Sequence, residues 1–154
     1  MNHQRANRLR RTALAAGPLL LAIGLVLVTW MNSQAASTQP ASPRHLAVLW
    51  TSGDPDVAHR VAFMYTHGAA QQDWFERVRV IVWGPSARLL AGDKDLQAAV
   101  AEMKEHGVEV HACVACADSY GVTDTLRSLD IPVEPMGQPL TDLLRDNQWE
   151  VLTF

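Results

Sequence analysis

Short apolar runs separated by helix-like segments are the feature that most restricts how this chain can fold. Their length and largely unbroken apolar character are typical of strands buried on both faces, and Pro132 favours an edge position for the fourth run. The runs cover residues 46–50, 78–83, 108–112, 131–134 and 149–154. Strands that alternate with helices indicate a parallel sheet covered on both sides. The sequence therefore predicts a three-layer α/β/α fold with a five-stranded, mainly parallel sheet.

Capping residues mark the ends of the predicted helices. Asp54 suits an N-cap and Pro55 suits the first helical position, so a helix is predicted to follow the first strand. The residues expected on its buried face are Val57, Val61, Met64 and Gly68. Asp93 can cap a later helix, and Gly107 is the expected C-terminal stop of that helix. These signals support one α/β domain over residues 45–154.

The first 36 residues have the composition of an export segment. Residues 1–12 contain four arginines and no acidic residue, and residues 13–31 contain no charge. The predicted segment is either a cleaved signal peptide or a transmembrane anchor that passes through the membrane with residues 13–31. Residues 37–44 form a predicted linker. Both interpretations predict a periplasmic or otherwise extracytoplasmic domain, because the basic residues precede the apolar run.

The charge balance argues against a nucleic-acid partner. Without its first 36 residues the chain has nine basic and sixteen acidic residues, a net charge of −7. Binding to the phosphate backbone requires a basic patch, and no such patch is visible in the sequence. We therefore expect no nucleic acid among the partners.

The chain's two cysteines form a Cys-x-x-Cys pair, Cys113 and Cys116, directly after the third predicted strand. In open α/β sheets, ligands bind beyond the carboxyl ends of the strands, so this pair falls where a site is expected. Thiolates are nucleophiles and metal ligands. The other pocket residues predicted at these ends are Ser52, Gly53, Trp83, Gly84, Met136 and Gly137. The sequence indicates no bound cofactor and no resident metal.

Residues 113–122 resemble the cysteine motif of the DsrE/DsrF-like family, and residues 49–54 and 83–86 resemble a subgroup of it. Cys113 matches the family's sulfur-carrying cysteine, whereas Cys116 stands where the family usually has alanine. Tyr120, a further predicted pocket residue, stands where relay members often carry a basic residue. The resemblance implies a five-stranded parallel sheet between helix layers, and assembly into homo-oligomers such as trimers or hexamers.

The resemblance also implies sulfur handling, because the family includes sulfur-relay subunits. Cys113 would hold a sulfane sulfur as a persulfide, as a carrier or a sulfurtransferase-like protein, between a donor and an acceptor protein that the sequence does not identify. One alternative is thiol–disulfide exchange through Cys113 and Cys116, whose spacing is that of redox motifs. Another is a non-enzymatic oligomeric binding module. A metal site comprising His111, Asp118 and the two cysteines is a third alternative.

Overall fold

The computed structural model describes residues 44–154. The predicted export segment and nearly all of the predicted linker lie outside the described residues. Five strands form one sheet in the order β4-β3-β2-β1-β5, and every neighbouring pair is parallel. The strands are β1 (His45–Trp50), β2 (Arg77–Val82), β3 (Glu109–Cys113), β4 (Val133–Glu134) and β5 (Trp149–Thr153). The predicted α/β class and parallel sheet are therefore confirmed, with β4 at an edge.

The helices lie between the strands. α1 covers residues 55–71 in three consecutive segments, Pro55–Val57, the π-helical Ala58–Phe63 and Met64–Gln71. The other helices are α2 (Pro85–Gly92), α3 (Lys94–Glu105), α4 (Val114–Ser119), α5 (Thr123–Ser128) and α6 (Gly137–Arg145). Among residues 44–154, no helix is both long and apolar enough to cross a bilayer.

The predicted caps form as expected. The Asp54 carboxylate accepts hydrogen bonds from two backbone N–H groups at the start of α1, and the Asp93 carboxylate does the same for α3. Gly107 has a φ of +83° just after α3, a conformation that glycine adopts without the steric cost of a Cβ. These residues therefore fix where the two helices begin and where α3 ends.

The buried face of α1 differs from the predicted one. Val61 and Met64 were expected inside, but they are 40% and 65% exposed. The side chains that pack inward are Ala58, Ala62, Phe63, Thr66 and Ala69. Positions 58, 62, 66 and 69 keep a helical spacing, so the inward face is a neighbouring stripe of smaller residues, and the prediction chose the wrong stripe.

The two faces of the sheet carry different layers. Helices α1 to α5 pack on the first face, against strand residues such as Leu46, Val80 and Val110. On the second face, the part of the chain that the structure describes supplies one helix, α6, which packs through Leu140 and Leu143. Residues 44–154 thus form three layers, in which α6 is the one helix on the second face.

Candidate functional site

The two cysteines lie where β3 passes into α4. Cys113 is the last residue of β3 and also the N-cap residue of α4, and Cys116 lies in the first turn of that helix. Both are free thiols. A chain that leaves a strand and enters a helix within one residue brings cysteines three positions apart to the same edge of the sheet. The pair therefore lies at the carboxyl edge, as the sequence predicted.

Cys113 points to the second face and is almost closed off from solvent. Its exposed fraction is 5%, and it belongs to an apolar cluster with Ala47, Ile81, Met136 and Leu143. Met136, which was predicted to line a pocket, is itself only 1% exposed. The cover over Cys113 is therefore hydrocarbon contributed by α6 and by the residue that precedes it.

Cys116 is partly exposed and packs at the boundary between the two cores. Burial and the neighbouring Cys113 thiol raise the pKa of Cys116 above its ordinary value, while a hydrogen bond from the Gly84 backbone lowers it in part. The net effect keeps Cys116 protonated to a higher pH than an exposed cysteine. The two thiols are close enough to influence each other.

The turn after β2 forms one wall of the thiol site. Gly84 adopts a φ of +70°, a conformation that glycine accepts without the steric cost of a Cβ, and its backbone lies beside Cys116. The preceding Trp83 packs into the apolar cluster around Cys113. Ser86, a buried residue that the sequence analysis overlooked, holds this turn: its Oγ accepts from the Trp83 N–H at 3.0 Å and donates to the Trp50 carbonyl at 2.6 Å.

Two other predicted residues lie beyond the end of β1. The Ser52 Oγ accepts a hydrogen bond from the Asp54 N–H at 3.1 Å, which is a turn function. Gly53 lines an open cavity of about 520 Å³ together with Pro85 and residues of α2 and α3. A Cβ on Gly53 would lie 3.1 Å from the Pro85 Cβ, so glycine permits the close approach of these two loops.

The remaining predicted residues lie at the ends of α4 and α6. Tyr120 ends α4 and packs against the first-face core, with the Arg88 guanidinium 5.1 Å from its ring centroid. Gly137 is an exposed residue at the start of α6. Thus Trp83, Gly84 and Met136 are assembled around the thiols, whereas Tyr120 belongs to the opposite core.

One polar pair beside Cys113 was not found from the sequence. The His111 Nδ1 and the Glu134 Oε1 lie 2.7 Å apart, and Glu134 is paired in register with Cys113 across β3 and β4. His111 therefore pairs with a carboxylate rather than gathering with Asp118. Within residues 44–154, no three side chains of His, Cys, Asp or Glu are grouped as a metal site requires.

The fold and the thiol pair define a class of protein: an α/β domain with cysteines at the carboxyl edge of a parallel sheet. The model of the DsrE/DsrF-like family matches residues 44–154, and the chain belongs to that family. Among solved structures, it is similar to a conserved protein of unknown function from Bacteroides thetaiotaomicron, at 30% identity and a TM-score of 0.70. That match covers 76% of this chain and 100% of the other. No curated protein matches the chain significantly.

Proposed function

We propose that this protein accepts a sulfane sulfur on Cys113 and passes it on, with Cys116 as a second thiol at the same site. The observation that carries the proposal is the pair of adjacent free thiols at the carboxyl edge of β3, in a chain of the DsrE/DsrF-like family. The family is linked to sulfur relay. Ligands of open parallel sheets bind at this edge.

The burial of Cys113 limits which donors can reach it. At 5% exposure, its sulfur is accessible to a small inorganic donor more readily than to a bulky reagent. A persulfide then extends the site outward, because the added sulfur lies about 2.05 Å beyond Sγ. The proposed role is therefore to take sulfur from a small or deeply inserted donor and to present it nearer the surface for a protein acceptor.

Loading with inorganic polysulfide, followed by intact-mass measurement without reductant, tests the proposal. The expected product is heavier by one sulfur atom. We expect Cys116→Ser to retain this gain and Cys113→Ser to lose it. Ala115→Ser, between the two cysteines, is the matched control and should load like the wild type. If the wild-type protein gains no sulfur while remaining folded, the proposal is wrong.

Thiol–disulfide exchange is the second candidate function, because the Cys113 thiol influences the pKa of Cys116 directly. Neighbouring cysteines form a disulfide on oxidation where their Cβ atoms can be brought within bonding geometry. The same mass measurement distinguishes this function, since an intramolecular disulfide loses two hydrogen atoms. Replacement of either cysteine abolishes that loss, whereas the persulfide depends on Cys113 alone. A folded protein that shows neither mass change would favour a binding module without thiol chemistry.

We further propose that residues 1–36 export or anchor the domain, on the basis of their basic and apolar composition. N-terminal sequencing of the protein from membrane and soluble fractions tests this proposal.

A homo-oligomer is proposed as well. Its support is the exposure of Val61 and Met64, which lie three positions apart on α1, since neighbouring exposed apolar side chains can mark an interface. Light scattering of the purified protein would measure its mass, and a monomer at all concentrations would contradict the proposal.

A further inference from the structure

The His111–Glu134 pair lies on the same face of the sheet as Cys113. Residues 109, 111 and 113 of β3 point to the second face, because the alternate residues Val110 and Ala112 are buried in the first-face core. Glu134 is the register neighbour of Cys113 on β4, and its carboxylate reaches back to His111. A thiol, a carboxylate and an imidazole therefore share one small area.

The surroundings of Cys113 disfavour an anionic sulfur. Its packing partners in the second-face cluster are apolar. An anionic sulfur in such surroundings is costly unless a compensating charge or hydrogen-bond donor is present. Within residues 44–154, His111 and Glu134 are the titratable groups paired beside it on this face, apart from its partner thiol Cys116.

The other groups that face His111 do not compete for this role. On β2 its register neighbour is the aliphatic Ile81. One step along the face, Glu109 is bonded to Arg79, with a separation of 2.9 Å between Arg79 Nε and Glu109 Oε2. With Nδ1 bound to Glu134, the second ring nitrogen of His111 makes no hydrogen bond within residues 44–154.

We propose that His111, oriented by Glu134, accepts the proton of the Cys113 thiol and returns it to the departing donor during sulfur transfer. This inference rests on the proposed function. Two positions along a strand correspond to about 6.6 Å between Cα atoms, a separation that the two side chains can bridge through a donor sulfur or one water molecule. His111 is thus assigned as a catalytic residue, and Glu134 as a positioning residue.

The step is balanced with inorganic polysulfide as the donor. The proton moves from Cys113 Sγ to the imidazole, and the thiolate attacks the terminal sulfur. A bond forms between Sγ and that sulfur, while the donor's adjacent S–S bond breaks. The electron pair leaves with the shortened polysulfide, which takes the proton from the imidazolium. The products are a Cys113 persulfide and a polysulfide that is one sulfur shorter.

The test is the rate of persulfide formation, followed by intact mass in full-length protein carrying Cys116→Ser. We expect His111→Ala to slow loading by about a hundredfold, the usual scale of general acid–base catalysis. Added free imidazole should restore part of the rate, a result that a purely structural role would not produce. Glu134→Gln should also slow loading, because it removes the partner that orients the imidazole.

Matched surface variants complete the experiment. His59→Ala, on an exposed part of α1, and Glu105→Gln, at the exposed end of α3, should load at the parent rate. If the parent protein loads, and the folded variants Glu134→Gln and His111→Ala load as fast as the parent, this inference is wrong while the proposed function stands. A slow His111→Ala that imidazole does not rescue also overturns it. If the parent itself does not load, both fail.

Discussion

The two faces of the sheet differ in the helices that cover them and in the side chains that they carry. Within residues 44–154, the first face is covered by five helices and its buried strand side chains are apolar, with Leu46, Val48 and Val80 all fully buried. The second face is covered by α6, and it combines apolar residues with the Arg79–Glu109 ion pair, the His111–Glu134 hydrogen bond and the Cys113 thiol. Stability is therefore concentrated on one side, which leaves the other side able to carry polar groups and chemistry.

The charged side chains on the second face interact with one another and with an aromatic ring. Arg77 and Arg79 both bond to Glu109, and both guanidinium groups lie over the Trp149 ring at 5.2 and 5.1 Å from its centroid. Cation–π contacts and shared carboxylates are the usual ways to hold arginines on a partly buried surface. The charges at this end of the face serve the fold, whereas the thiols lie at the opposite end.

The largest expected difference between the faces is in stability. Leu46→Ala on the first face should lower the free energy of unfolding by about 3 kcal/mol, because a fully buried side chain leaves a cavity. Leu143→Ala on the second face should cost about 2 kcal/mol, since α6 can relax toward solvent. Urea denaturation measures both values. Equal losses would contradict the comparison.

A smaller effect, dependent on pH, is expected at Glu109. Burial raises the pKa of Glu109, but hydrogen bonds and positive charge from Arg77 and Arg79 outweigh it and lower that pKa below its ordinary value. Because the folded state binds the proton less tightly, the stabilisation is present above the unfolded pKa and is lost as the pH falls through the folded one. Glu109→Gln should lower the free energy of unfolding by about 1–2 kcal/mol at neutral pH.

The control for this variant is Glu105→Gln, at an exposed position. Denaturation of the two variants and the wild type at neutral and acidic pH gives the comparison. The difference in free energy of unfolding between the wild type and Glu109→Gln should decrease as the solution is acidified. Glu105→Gln should have the same free energy of unfolding as the wild type at each pH. A gap that is constant with pH would show that the Glu109 charge is not responsible.

The sequence predicted the frame of the fold and the location of the thiols. Apolar runs located the strands, and Asp54, Asp93 and Gly107 act as the expected caps. These features are local, so a single sequence can reveal them. Because Cys113 follows the third predicted strand of a parallel sheet, its position at the carboxyl edge could also be predicted without knowledge of its neighbours.

What the sequence missed depends on contacts between distant segments. Glu134 lies beside Cys113 only because a two-residue strand pairs in one particular register, which no local pattern specifies. The inward face of α1 consists largely of small residues, such as Ala58, Ala62 and Ala69, which a search for large apolar side chains overlooks. The sequence also predicted helices on both faces. It did not indicate that, within residues 44–154, α6 alone covers the second face, since periodicity does not assign a helix to a side.

The cover over Cys113 provides a third, more local test of the comparison. Leu143→Ala removes part of the hydrocarbon that closes the site, so alkylation of Cys113 by iodoacetamide should become severalfold faster. Leu144→Ala, its neighbour on α6, is 66% exposed and should leave the rate unchanged. Mass spectrometry of peptides at successive times measures the modification. If both variants react alike, α6 does not control access.

The smallest expected effect concerns Cys116. Burial and the Cys113 thiol raise the pKa of Cys116, and alkylation requires the thiolate, so its rate should increase as the pH rises through that pKa. Cys113→Ala removes the second cause but not the first. The pH at half-maximal alkylation of Cys116 should therefore move slightly downward and remain above that of an exposed cysteine peptide. Cys113→Ser keeps a hydrogen-bonding group there and should move it less. An upward shift in either variant would contradict the coupling between the two thiols.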